Sequence, residues 1–92
     1  ADAEFVGNKL YYVVFSSKEN AYNDDYEDVT AKIYCSKVNG SGVKKLGSIT
    51  HTCYRWDGEF YVEEFDEDSC IILLGFTRYR FIYSTGEYYI IR

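Results

Sequence analysis

The residues able to do chemistry are few: the only histidine, His51, with Glu63, Arg78 and Arg80. If the segments that carry them are strands, their side chains alternate between two faces. Ile49, His51, Cys53 and Arg55 then oppose Thr50, Thr52, Tyr54 and Trp56. Tyr61 and Glu63 oppose Phe60, Val62 and Glu64, while Arg78 and Arg80 oppose Tyr79, Phe81 and Tyr83. His51, Glu63 and Arg80 can therefore meet on the polar face of one sheet. An imidazole, a carboxylate and a guanidinium so placed are the parts needed for general acid–base work on a phosphodiester. The plainer reading is the wet side of a half-buried sheet.

Other chemistry is poorly supplied. No nucleophile motif, phosphate-binding glycine loop or metal motif is present, and no cofactor is expected. Gly40-Ser41-Gly42 precedes a strand rather than a helix, and Asn39-Gly40-Ser41 matches a glycosylation acceptor in form. Cys35, Cys53 and Cys70 make no C-x-x-C pair and, with one histidine, are too few for structural zinc. In a small secreted domain they predict one disulfide and one spare thiol, in any of three pairings. The net charge of −5 argues against general affinity for nucleic acid. The acids gather at Asp24-Asp25-Tyr26-Glu27-Asp28 and at Glu63 to Asp68, which read as a helix start and a solvated loop. No apolar run is long enough to span a membrane as a helix.

The elements that must position these residues are read from periodicity. Leu10 to Phe15 is β-branched and aromatic and predicts a strand, followed by a polar turn over Ser16 to Asn23. Asp24 to Val38 predicts the one helix. Asp24 and Glu27 can form a capping box, Tyr26, Val29 and Ile33 recur at helical spacing, and Asn39-Gly40 supplies a stop. Leu46 to Trp56 predicts a strand, and Asp57-Gly58 a hairpin turn into a return strand over Glu59 to Phe65. Cys70 to Gly75, Thr77 to Tyr83 and Glu87 to Arg92 complete the sheet. Residues 1–92 thus predict a single domain, with Ala1 to Phe5 a processed terminus or cloning scar of no weight in the fold. The expected class is α+β, one helix packed on an antiparallel sheet whose other face is open. Tyrosine supplies 11 of the 92 residues, which suits an aromatic recognition face.

This layout resembles the small fungal guanyl-specific ribonucleases. More closely, it resembles the ribonuclease-like secreted effectors of powdery mildew fungi, the RALPH group, over roughly Tyr22 to Arg92. The stretch from Thr77 to Ile91 looks like the family's arginine-bearing strand, turn and return strand. Thr50-His51-Thr52 falls where the enzymes carry their first catalytic histidine, Glu63 near their base and Arg80 near their phosphate-binding arginine. The resemblance implies a curved sheet and a vestigial binding face of His51, Glu63, Arg78 and Arg80. The enzymes also need a second histidine as general acid, which this chain lacks.

The function expected from the resemblance is a catalytically inactive, secreted virulence or avirulence effector. It would act as a monomer inside a plant cell, binding a host protein or, weakly, RNA, and be open to recognition by an immune receptor. The alternative is a secreted effector of another kind, a β-sandwich without a helix over Asp24 to Val38, which binds host proteins through a sheet edge. An active ribonuclease is the third reading. Losing the general acid would forfeit on the order of 10²–10⁴ in rate.

Overall fold

The computed structural model describes residues 2–56 and 58–92. Eight strands follow one another: β1 (Ala3–Val6), β2 (Lys9–Glu19), β3 (Tyr26–Lys37), β4 (Lys44–Tyr54), β5 (Phe60–Phe65), β6 (Ser69–Leu74), β7 (Thr77–Ile82) and β8 (Tyr88–Ile90). They form two antiparallel four-stranded sheets, β1-β2-β3-β4 and β5-β6-β7-β8, each a simple meander. The fold is all-β, and the expected α+β class is wrong.

The error lies in Asp24 to Val38, where β3 stands in place of the expected helix. Val29 and Ile33 are four residues apart, which fits a helical face. They are also two steps of two, with Ala31 between them, and all three are 0% exposed. Thr30 and Lys32 point the other way, the alternation of a strand. The eleven-residue partners on either side supply the ladder: β3 pairs with β2 from Lys37 back to Glu27 and with β4 from Tyr26 to Cys35. Of the two residues expected to cap a helix, Glu27 lies in β3 and Asp24 in the turn before it, a turn that two asparagines close. Asn20 Oδ1 accepts from the amides of Tyr22 and Asn23, and Asn23 Oδ1 accepts from that of Asp25. Asparagine side chains stabilise turns in this way, without any helix following.

Most other strands begin and end within two residues of their predicted bounds. The exceptions are informative. β2 runs on through Ser16 to Glu19, where a turn was expected. Ala3–Val6, discounted as a terminus, pairs with β2. Asp57 lies outside the described residues. β4 and β5 belong to different sheets and do not pair, so they are not the two arms of the expected hairpin.

The sheets pack face to face as a sandwich. Val29, Ala31, Ile33 and Ile49 of the first meet Cys70, Ile72, Leu74 and Phe81 of the second, with Val13 and Val62 beside them. Aromatic pairs cross the layer: Tyr11 stacks on Tyr83 at 4.0 Å and Phe15 tilts against Phe60 at 5.5 Å. Gly47 marks a close approach of the two sheets. A Cβ there would sit 2.9 Å from the Phe81 ring.

Candidate functional site

Alternation puts Arg78 and Arg80 on the outer face of the second sheet, and a bulge in β5 brings Glu63 to Arg78 there. β5 and β7 both flank β6, so Glu63 and Arg78 reach each other across it. Arg78 Nε donates to both carboxylate oxygens, at 3.1 and 3.0 Å, and Nη2 donates to Oε2. These bonds hold the Arg78 guanidinium above its ordinary pKa. A register shift between Val62 and Glu64 lets Glu63 take this position. Arg80 Nη1 donates to Ser69 Oγ at 2.9 Å and lies 3.7 Å from Asp66. Both arginines are thus already matched to acids of the chain.

His51 does not join them. Its Nδ1 lies 2.8 Å from the Tyr79 hydroxyl, in the layer between the sheets. Tyr79 alternates with Arg78 and Arg80 along β7, so His51 and the two arginines lie on opposite faces of the second sheet. Burial holds the imidazole below its usual pKa and the Tyr79 phenol above its own. The expected meeting of His51, Glu63 and Arg80 on one face therefore does not occur, and the carboxylates that face the arginines, Glu63 and Asp66, are paired with them.

The cysteines are also placed otherwise than expected. Among the described residues no disulfide joins Cys35, Cys53 and Cys70. Cys35 pairs with Lys44 and Cys53 with Glu27, so they sit at opposite ends of the β3–β4 ladder. Eight residues of strand separate them, about 26 Å, against the ~7 Å that a disulfide can span. Cys70 is fully buried, and that burial, aided by Asp66, pushes its thiol up to about 12. No group of side chains suited to a metal ion occurs among the described residues.

What the sequence reading missed is the long free edge of β4. Each sheet has two edges. β1 has four residues and covers β2 only from Lys9 to Tyr12, and Asp2 beside it caps the Val62 amide of β5 at 3.2 Å; past it the uncovered stretch of β2, Val14 to Glu19, is about half the length of β4 and ends in Lys18 and Glu19. β5 is broken by its bulge and carries Glu63 and Glu64, while β8 has three residues. These are ordinary ways of blunting an edge. β4 has eleven residues, about 35 Å, and pairs only with β3. Beyond that ladder no hydrogen bond reaches the backbone of Ser48 to Thr52 among the described residues. Only Lys44 and Lys45, at its start, charge it.

Aromatic residues mark the other end of this strand. Tyr54 stacks on Tyr26 at 4.6 Å, with Trp56 beyond it at 6.2 Å and Arg55 5.8 Å from the Trp56 ring. Trp56 and Phe76 flank an open cleft of about 420 Å³ whose lining includes Leu73, Gly75 and Glu59. They are 71% and 84% exposed. Gly75, at φ 66° in the β6–β7 turn, holds the cleft against β4: a Cβ there would lie 3.2 Å from Cys53 Cβ. No protein-family model matches the chain, nor does any curated protein or solved structure.

Proposed function

We propose that the chain is a non-catalytic binding protein, a secreted effector of the β-sandwich kind, which takes an extended segment of a host protein along the free edge of β4. The observation that carries this reading is the contrast between edges. The edges at β1, β5 and β8 are short or bent, the uncovered stretch of β2 is shorter and ends in charges, and the longest edge, β4, is left open. A strand added there would gain main-chain hydrogen bonds along Ser48 to Thr52 at little conformational cost to the host sheet. The β-sandwich is the architecture expected of an effector that engages its partner through a sheet edge. The separation of His51 from Arg78 and Arg80, whose neighbouring carboxylates are engaged in ion pairs, supports binding over catalysis.

The test is a selection of displayed random dodecapeptides on the full chain, followed by titration of enriched peptides into the isotope-labelled protein. Amide shifts centred on Ser48 to Thr52 support the edge. Shifts confined to β5 or β8, or no enrichment, would refute it.

A further inference from the structure

We infer that the cleft between Trp56 and Phe76 seats one apolar side chain of the partner strand, and that this strand is basic beside it. The inference rests on the edge reading above and adds what decides the partner's chemistry. Main-chain pairing along an edge is blind to sequence, so discrimination must come from side-chain pockets next to it. The cleft is so placed. Trp56 follows β4 by two residues, and the β6–β7 turn that carries Phe76 is packed on β4 through Gly75, Cys53 and His51. Its walls are largely apolar, and its two rings stand in solvent without stacking on each other. An exposed tryptophan and phenylalanine of this kind are the groups that dominate protein interfaces once buried.

Charge sets the rest. Glu59 lines the cleft. Glu27 Oε1 lies 3.0 Å from where a Cβ on Gly58 would stand, so a second carboxylate borders the same lining. Neither is ion-paired among the described residues. Asp24 and Asp25 are held nearby, their carbonyls accepting from Arg55 Nη1 and from the Arg55 amide, both at 3.1 Å. The four acids outnumber Arg55 and Lys18, the cations beside Glu27 at this end, and a lysine or arginine next to the anchor would meet them. Such pairs at a rim act chiefly on specificity and association rate, and weaken with salt.

The same dodecapeptide selection supplies the test. Enriched sequences should carry an aromatic or leucine anchor next to lysine or arginine. Trp56→Ala and Phe76→Ala should each weaken an enriched peptide about tenfold or more while the Ser48 to Thr52 shifts persist. Glu59→Lys should weaken it and flatten its salt dependence. Both rings are exposed, so these variants should fold, which unfolding curves check. Unchanged affinity in the two alanine variants, or enrichment of acidic peptides, would overturn the anchor while leaving the edge reading intact. Loss of the β4 shifts in the parent protein would remove the edge itself. A dimer seen by light scattering, with β4 protected in the absence of peptide, would mean that a second copy occupies the edge, and would overturn the inference.

Discussion

At the scale of single residues, position relative to the sheets decides what each group can do. His51 faces Tyr79 between the layers, where burial disfavours the imidazolium. Its folded pKa is depressed, so the unfolded chain binds the proton more readily. Its contribution to stability is therefore full above the unfolded value of 6.5 and is lost as the pH falls below it, down to the folded pKa. The urea midpoint should drop between about pH 7.5 and about pH 5.5. His51→Gln, which cannot titrate, should flatten that dependence; an equal drop in the variant would assign it elsewhere. The same placement bears on RNA. Arg78 is bound to Glu63 and Arg80 to Ser69 and Asp66, with His51 behind the sheet. The protein should not cleave a guanosine-containing dinucleotide or total RNA above background. Turnover that disappears in His51→Ala would contradict this. That Arg78 and Arg80 share a face was legible from alternation alone. The Glu63 contact was not, because it depends on β5 and β7 flanking the same strand, and nothing local records which strands are neighbours.

At the scale of elements, the sequence was legible where one periodicity excluded the other. Cys70-Ile71-Ile72-Leu73-Leu74 is too short for a stable helix and too apolar for a loop, and Thr77-Arg78-Tyr79-Arg80-Phe81 alternates cleanly. Tyr26 to Lys37 satisfied both periods, and the acids before it looked like a cap. Long-range pairing with β2 and β4 decided it, as tertiary context commonly overrides local propensity. β4 also shows how packing constrains a strand that local propensity leaves free. Gly47→Ala would press a methyl group into Phe81, which is fully buried and cannot move aside. We expect a loss of about 1–3 kcal/mol in urea unfolding, the range found for overpacked cores. An unchanged midpoint would mean that the sheets separate there at no cost.

At the scale of the whole molecule, two four-stranded layers share one core, and no disulfide joins them among the described residues. Neither the pairing of the sheets nor the place of the free edge follows from any local stretch, because both depend on the crossover between β4 and β5. With Cys35 and Cys53 at opposite ends of their ladder and Cys70 in the core, reductant should leave the melting temperature unchanged; a marked fall would reveal a bridge that this fold does not contain. The central claim is that β4 is an open edge that a partner strand completes. Residue-resolved amide hydrogen exchange tests it most directly, on the free protein and on the protein saturated with a selected dodecapeptide. Alternate amides of Ser48 to Thr52, those turned away from β3, should exchange rapidly in the free protein and become protected with peptide bound, while Val29 to Ile33 stay slow in both. Amides of Ser48 to Thr52 that are all slow in the free protein, or whose exchange the peptide leaves unchanged, would contradict the account.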